Sequence, residues 1–150
     1  MPPMTQSILF VCLGNICRSP TAEAIFRGQA QGRGLEIDSA GTSGWHDGNP
    51  SDPRASAEAA RRGIDMSYIR SRKVIADDFT RFDLIVAMDA QNMRDLQAVQ
   101  PAGSRAKLVK LLDYAPEIGI SDIPDPYYED NFPEVLDMIA LACEKLLKSL

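Results

Sequence analysis

A cysteine and an arginine six positions apart, Cys12 and Arg18, lie between an apolar run and a helical pattern. Residues 7–11 (SILFV) are apolar and rich in strand-forming side chains, so they predict a buried strand. Ser19 and Pro20 are typical of a helix N-cap followed by proline at the first helical position. The few residues between strand and helix must therefore turn sharply, and this geometry constrains the fold of the chain.

The turn is predicted to be an anion-binding loop. Gly14 and Asn15 tolerate the positive φ that such a turn needs. Successive backbone N–H groups would then point inward at the positive end of the helix, which favours a dianion. The same field favours the thiolate form of Cys12, and the planar guanidinium of Arg18 can hold two phosphoryl oxygens at once.

A purely structural role is the alternative for Cys12. Cysteine after a buried strand is often a small apolar core residue, and the spacing Cys-x5-Arg recurs by chance. The strand before the cysteine, Gly14-Asn15 inside the loop and Ser19-Pro20 after it favour the catalytic interpretation.

Composition restricts the class of protein. With 150 residues, 45% of them hydrophobic, one globular domain over residues 1–150 is expected. A net charge of −5 disfavours nucleic acid as a partner. The apolar run at 8–13 is too short for a membrane span, and no basic residue precedes it as in a signal peptide.

Cysteine and histidine usage points to a cytoplasmic protein without a metal or other cofactor. Three cysteines, an odd number, do not form a secreted disulfide framework. One histidine and Cys143 leave too few ligands for zinc. The spacing of Cys12 and Cys17 leaves open a reversible disulfide between them.

Strand and helix patterns alternate along the chain. Strands are predicted at residues 7–11, 35–38, 82–88 and 107–112, and helices from Ser19, over 53–62, from Asp89 to 98 and over 132–150, with loops over 38–53 and 114–131. The alternation predicts an α/β three-layer sandwich with a four-stranded parallel sheet. Ligands bind at the carboxyl ends of such strands, where Cys12, Ser39 and Asp89 would converge.

A general acid is needed as well as a nucleophile. The oxygen that leaves a phosphate monoester needs a proton at neutral pH. Asp125 is the best candidate donor, because Pro124 and Pro126 stiffen the loop around it. The residues alone leave open that Asp125 is a solvated turn aspartate. Ser19 is a candidate hydroxyl donor to the Cys12 thiolate.

Four stretches resemble the low-molecular-weight protein tyrosine phosphatases. They are residues 11–20 (VCLGNICRSP), 38–45 (DSAGTSGW), 88–92 (MDAQN) and 125–128 (DPYY), in the same order as in the family. Chain length agrees too, so the resemblance spans nearly the whole sequence. It implies a flavodoxin-like strand order 2-1-3-4, with the phosphate-binding loop after strand 1. It also implies hydrolysis of protein phosphotyrosine through a phosphocysteine intermediate.

The resemblance assigns a role to each site residue. Cys12 is the expected nucleophile, Arg18 the ligand that binds phosphate and stabilises the transition state, and Asp125 the general acid and base. The expected phosphate-binding loop also contains Leu13, Gly14, Asn15, Ile16, Cys17 and Ser19.

Residues around the loop receive supporting roles from the same resemblance. Asn15 is expected to be left-handed, Ser39 to tie the loop down, and Asp89 to support the site besides capping its helix. Trp45, Tyr127 and Tyr128 are expected to wall the substrate cleft.

Leu13 and Ile16 would complete an apolar slot suited to a phenyl ring. In the related arginine phosphatases the position of Ile16 looks like a threonine, so the resemblance implies that Ile16 favours phosphotyrosine.

One position departs from the family. Members commonly have a histidine shortly after a Gly-Ile pair, within the network that braces the loop asparagine. Here Gly63-Ile64 leads to Tyr68, and two alternatives stay open: Tyr68 replaces the histidine, or the network is rebuilt from other residues. The only histidine, His46, is interpreted as a surface loop residue, and residues 70–73 (RSRK) as a solvated basic turn.

The expected partners are proteins that contain phosphotyrosine, and bacterial relatives suggest a tyrosine kinase as a further one. A monomer or weak dimer that contacts neither nucleic acid nor membrane is expected. Whether Tyr127 or Tyr128 is itself phosphorylated stays open.

Three rival functions share this architecture or site. An arsenate reductase needs additional thiols, and only Cys143 follows Cys17. A phosphocysteine carrier module has no use for Arg18 together with Asp125. A catalytically silent phosphotyrosine-binding module is disfavoured by the intact set of Cys12, Arg18 and Asp125.

Overall fold

A computed structural model describes residues 5–150. Four strands in this part of the chain form one parallel sheet in the order β2-β1-β3-β4. The strands are β1 (Ser7–Cys12), β2 (Glu36–Gly41), β3 (Leu84–Ala87) and β4 (Lys107–Lys110). The predicted order of the sheet is confirmed.

Helices cover both faces of the sheet. They are α1 (Arg18–Gln29), α2 (Pro53–Arg61), α3 (Asp78–Arg81), α4 (Ala90–Val99), α5 (Pro126–Glu129) and α6 (Phe132–Ser149), with 3₁₀ turns at Leu111–Tyr114 and Pro116–Ile118. Side chains of β1 alternate between the two faces, as strand geometry requires. Ile8 and Phe10 belong to a core with α1, α2 and α6, whereas Leu9 and Val11 belong to one with Phe79 and the buried face of α4. The molecule therefore has the predicted three layers.

Two helix starts decide where functional side chains lie. Asp89 caps α4 as predicted, because its side chain accepts a hydrogen bond from the Asn92 N–H at 2.8 Å. The predicted cap at Ser19 is wrong. Helix α1 begins one residue earlier, at Arg18, and Cys17 occupies its N-cap position without a side-chain cap bond. The Ser19 hydroxyl is buried beside Asn15 and is used there instead.

Two further differences concern segments predicted as loop. Strand β2 runs on to Gly41, because its backbone continues to pair with β1 as far as Cys12. Helix α5 is a single turn that begins directly after Asp125, inside the predicted loop over 114–131. Elements of one turn carry no hydrophobic periodicity, so the sequence pattern does not reveal them. Among residues 5–150, no helix is both long and apolar enough to cross a membrane.

Replacement of Phe26 by alanine should test the core between the sheet and helices α1, α2 and α6. Phe26 is fully buried, and its ring packs edge-on against Phe10 at a centroid distance of 5.5 Å. We expect Phe26→Ala to lower the free energy of unfolding by about 4 kcal/mol in urea denaturation. Ile75→Ala is the control, because this side chain is 56% exposed and should change stability by less than about 0.5 kcal/mol. Equal losses in the two variants would contradict this description of the core.

Candidate active site

The carboxyl end of β1 leads into a loop that surrounds the sulfur of Cys12, a residue only 3% exposed. Asn15 is left-handed as predicted, with a φ of 56°, and its backbone N–H points at Cys12 Sγ over 3.3 Å. Ser19 Oγ lies 3.0 Å from the same sulfur. Helix α1 starts directly after the loop, so its positive end faces this pocket. The arrangement stabilises negative charge on the sulfur or on an anion bound beside it.

The side chain of Asn15 links the loop to two other segments. Its amide donates to Ser19 Oγ at 2.8 Å, and its oxygen accepts from the backbone N–H of Arg72 at 3.0 Å. Next to it, the Ser71 hydroxyl donates to the carbonyl oxygen of Gly14 at 2.9 Å. Residues 71–72 therefore brace the phosphate-binding loop from outside.

This brace corrects part of the interpretation of residues 70–73 as a solvated basic turn, because Arg70 and Lys73 are exposed but the two residues between them are not. Ser71 is buried, and the Arg72 guanidinium forms ion pairs with Asp38 at 3.1 Å and Asp78 at 3.0 Å. The two carboxylates lie on different elements, β2 and α3. They hold Arg72, and with it the N–H that Asn15 needs.

Tyr68 does not replace the family histidine in this brace. Its hydroxyl accepts from Arg27 Nε at 3.1 Å, and the Arg27 guanidinium lies 5.4 Å from the centre of its ring. Burial, followed by the nearby charge of Glu23, raises the pKa of Tyr68 to about 12. Tyr68 is thus a neutral partner of α1, and the brace on Asn15 comes from the backbone of Arg72.

Ser39 does not tie the loop down directly. Its hydroxyl donates to Glu23 Oε1 on α1 at 2.7 Å, and within residues 5–150 it makes no hydrogen bond to the phosphate-binding loop. Glu23 also accepts from Arg27 at 3.1 Å. Burial raises the pKa of Glu23, although the bonds from Ser39 and Arg27 oppose this. Ser39 therefore anchors β2 to the helix that carries Arg18.

Arg18 lies at the first residue of α1 with only 3% of its side chain exposed. Its Nη1 donates to Asp89 Oδ2 at 2.7 Å and to the Ile123 carbonyl at 3.0 Å. Its Nη2 lies 3.6 Å from Asp125 Oδ2. Burial disfavours its charge, but Cys12 and Asp89 outweigh burial, so the pKa of Arg18 is raised. The guanidinium stays cationic, and Asp89 fixes its direction as expected.

Asp125 is the N-cap of α5 and 37% of its side chain is exposed. Its Oδ1 accepts from the Tyr127 N–H at 3.1 Å, which leaves Oδ2 directed towards Arg18. The sequence pattern left open a fully solvated turn aspartate. The structure places this carboxylate on the wall of the cavity that holds the sulfur.

The cavity between the loop and α5 has a volume of about 240 Å³. Its lining residues are Cys12, Leu13, Gly14, Ile16, Cys17, Arg18, Trp45, His46, Asp125, Tyr127 and Tyr128. The structure thus brings together all the side chains that were expected to wall the cleft. His46 also lines the cavity, although its place in a polar, glycine-rich stretch predicted a surface loop residue. Its ring packs against Gly14, where an added Cβ would lie 3.0 Å from Cδ2.

All three cysteines are free and buried. Burial raises the pKa of Cys17, and the nearby Asp52 carboxylate adds to the effect. Burial alone raises the pKa of Cys143. Both are neutral thiols at neutral pH. In the part of the chain that the structure describes, no group of three or more His, Cys, Asp or Glu side chains is arranged to hold a metal ion.

The sheet topology and the site define an α/β protein that carries a cysteine and an arginine in a phosphate-binding loop, with a carboxylate opposite. Comparison with known proteins narrows this class. The family model for low molecular weight phosphotyrosine protein phosphatase matches residues 7–150. The chain belongs to this family.

Individual relatives agree over nearly their full lengths. The low molecular weight protein-tyrosine-phosphatase YfkJ of Bacillus subtilis is 46% identical over 148 residues, which cover 96% of this chain and 95% of that protein. The human low molecular weight phosphotyrosine protein phosphatase is 41% identical, with coverage of 96% and 95%. The crystal structure of YfkJ from Bacillus subtilis superimposes with a TM-score of 0.91 at 43% identity, over 99% of this chain and 96% of that one.

Removal of the Asn15 amide should weaken both the loop and its affinity for anions. In Asn15→Ala the Arg72 N–H loses its acceptor and alanine must adopt a positive φ. We expect the free energy of unfolding to fall by about 2 kcal/mol, and the inhibition constant of inorganic phosphate to rise about tenfold.

Asn15→Gly separates the two causes, because glycine adopts the left-handed conformation without strain. It should recover part of the stability but little of the phosphate affinity. A glycine variant that binds phosphate as well as the parent would show that the amide bonds of Asn15 do not shape the site.

Proposed function

We propose that this chain hydrolyses phosphotyrosine in proteins through a phosphocysteine intermediate on Cys12. The observation that carries the proposal is the arrangement of the Cys12 sulfur, the Arg18 guanidinium and the Asp125 carboxylate around one cavity. Family membership supports the same activity, because the relatives are named as phosphotyrosine phosphatases.

In the first step the Cys12 thiolate attacks phosphorus, so that a P–S bond forms as the P–O bond to the tyrosyl oxygen breaks. Arg18 and the loop N–H groups bind the non-bridging oxygens and stabilise their charge in the transition state. Asp125 gives its proton to the leaving oxygen, which would otherwise depart as a phenolate. Its position on the wall of the cavity that holds the sulfur supports this role.

In the second step Asp125, now a carboxylate, takes a proton from a water molecule that attacks the phosphocysteine. The P–S bond breaks and inorganic phosphate leaves. The Ser19 hydroxyl lies 3.0 Å from the sulfur, which suits it to stabilise the departing thiolate. Cys12 and Asp125 thus act in both steps.

The walls of the cavity favour an aromatic substrate. Trp45 and Tyr128 are 78% and 86% exposed, and they stand at the entrance with Tyr127. Leu13 and Ile16 line the same cavity. Apolar walls of this kind accommodate a phenyl ring, whose charged phosphate would reach the loop.

The contacts of Cys143 disfavour the rival arsenate reductase. A disulfide relay needs a second accessible thiol after Cys17. Cys143 is fully buried in α6, where its sulfur faces the carbonyl oxygen of Ala22 in α1. A phosphocysteine carrier is disfavoured because Asp125, which would promote loss of the phosphate, lies on the wall of the same cavity.

We further propose that residues 1–150 fold as one domain that acts in the cytoplasm, as a monomer or weak dimer. One sheet covered on both faces supports the single domain, and three free cysteines suit a reducing compartment. The partners would be phosphotyrosine proteins, among them a tyrosine kinase.

Replacement of the nucleophile tests the proposal. We expect Cys12→Ser to lower release of inorganic phosphate from a phosphotyrosyl peptide at least about 10⁴-fold, because the hydroxyl is a far weaker nucleophile. Binding of inorganic phosphate, measured by calorimetry, should persist because Arg18 and the loop remain. Cys143→Ala is the matched control and should keep its activity. Turnover near the parent rate in Cys12→Ser would refute the mechanism.

Replacement of the acid should depend on the leaving group. Nitrophenolate leaves without much help, whereas the tyrosyl oxygen needs a proton. We expect Asp125→Ala to lower kcat/KM about 100-fold or more for a phosphotyrosyl peptide, but less than about tenfold for p-nitrophenyl phosphate. Glu129→Ala, at the exposed end of the same helix, is the control. Equal loss on both substrates would count against Asp125 as the acid.

A further inference from the structure

We infer that Arg54 is a positioning residue that holds the Asp125 carboxylate in place against the Cys12 loop, an inference that rests on the proposed function. Arg54 lies in the first turn of α2, outside the cavity lining. Its contacts join the segment that carries the nucleophile to the segment that carries the acid.

The first half of the link runs from the phosphate-binding loop to Arg54. Asp52, the buried N-cap of α2, donates its backbone N–H to the Ile16 carbonyl at 2.8 Å. Its carboxylate accepts from Arg54 Nε at 3.2 Å and Nη2 at 3.1 Å, a two-point contact that fixes the plane of the guanidinium. Burial disfavours the charge of Asp52, but the bonds from Arg54 outweigh it, and the pKa of Asp52 is lowered. The pair is therefore ionised at neutral pH.

The second half runs from Arg54 to α5. Nη2 also donates to the Tyr127 carbonyl at 3.0 Å, and Nη1 lies 3.8 Å from Asp130. The guanidinium lies 5.5 Å from the centre of the Tyr127 ring and 4.8 Å from that of Phe132. Arg54 thus contacts α5, the residue that ends it and the start of α6.

The backbone of Tyr127 links Arg54 to the acid, Asp125. Its N–H donates to Asp125 Oδ1 while its carbonyl accepts from Arg54. The segment before Asp125 is held separately. The Ile123 N–H donates a hydrogen bond to the Met88 carbonyl, and the Ile123 carbonyl accepts one from Arg18.

The four-residue helix after Asp125 is too short to be stable on its own, so its position depends on outside contacts. Loss of the Arg54 fork should therefore loosen the acid and leave the sulfur in place.

The test is the variant Arg54→Met, which keeps an unbranched apolar stem over Phe132 and removes the fork. We expect kcat/KM for a phosphotyrosyl peptide to fall about tenfold, because a displaced acid transfers its proton poorly. For p-nitrophenyl phosphate the fall should be less than about twofold, and the inhibition constant of inorganic phosphate should not change. Arg61→Met is the control, since Arg61 lies on the same helix and, among residues 5–150, forms an ion pair with Glu58 alone.

A double-mutant cycle shows whether Arg54 acts through Asp125. In an Asp125→Ala background, Arg54→Met should have no further effect on either substrate. Asp52→Asn provides a second route, because asparagine still caps α2 but no longer orients the guanidinium. It should show the same selective loss in smaller measure.

Several results would overturn the inference. Equal losses on both substrates, an additive loss in the Asp125→Ala background, or an unchanged Arg54→Met enzyme would each exclude positioning of the acid. Failure of the proposed function has a different signature, since the unmodified protein would then release no phosphate from the peptide at all.

Discussion

The structure depends on a short loop that directs the Asn15 N–H at one buried sulfur and places the Ser19 hydroxyl beside it. Charge in such a pocket is costly unless each charged group has a partner. Arg18 supplies the positive charge, and Asp89 holds it at 2.7 Å without entering the cavity lining. The two carboxylate oxygens of Asp89 have different partners: Oδ1 caps α4, and Oδ2 binds Arg18. A helix start and the anion site are thus stabilised by the same side chain.

The loop conformation is not stable by its own sequence alone. A non-glycine residue at positive φ costs of order 1 kcal/mol, so the left-handed Asn15 needs compensation from its surroundings. That compensation is the buried amide, which binds Ser19 on one side and Arg72 on the other. The Arg72 side chain forms ion pairs with Asp38 in β2 and Asp78 in α3, which link the loop to these two elements. The family histidine has no counterpart at Tyr68, yet the asparagine is still braced, because a backbone N–H serves as the donor.

Sequence reasoning reached those parts of the site that are local. A strand, a turn and a helix follow one another within residues 7–29, so Cys12, Asn15 and Arg18 were predictable from a contiguous pattern. The cap at Asp89 was predictable in the same way. The brace at Ser71 and Arg72 lies 57 positions from its partners in the loop, and no periodicity marks it. The basic residues there suggested a solvated turn, because Asp38, one of the two carboxylates that pair with Arg72, lies 34 positions away, and nothing in the sequence marks Asp78, six positions away, as the other.

The acid poses a different problem from the nucleophile. Cys12 is fixed by the central strand of the sheet, whereas Asp125 lies in a segment with few regular backbone bonds. In the proposed mechanism the acid must lie within reach of the leaving oxygen while Cys12 attacks phosphorus, so the segment that carries Asp125 must be anchored to the loop that carries Cys12. On one side of the acid, Ile123 is hydrogen-bonded to Met88, the residue after β3, and to Arg18. On the other side Arg54 joins α5 to α2, and Asp52 joins α2 to the loop. If Arg54 positions the acid as we infer, a side chain outside the cavity lining sets how well the acid is aligned with the anion site.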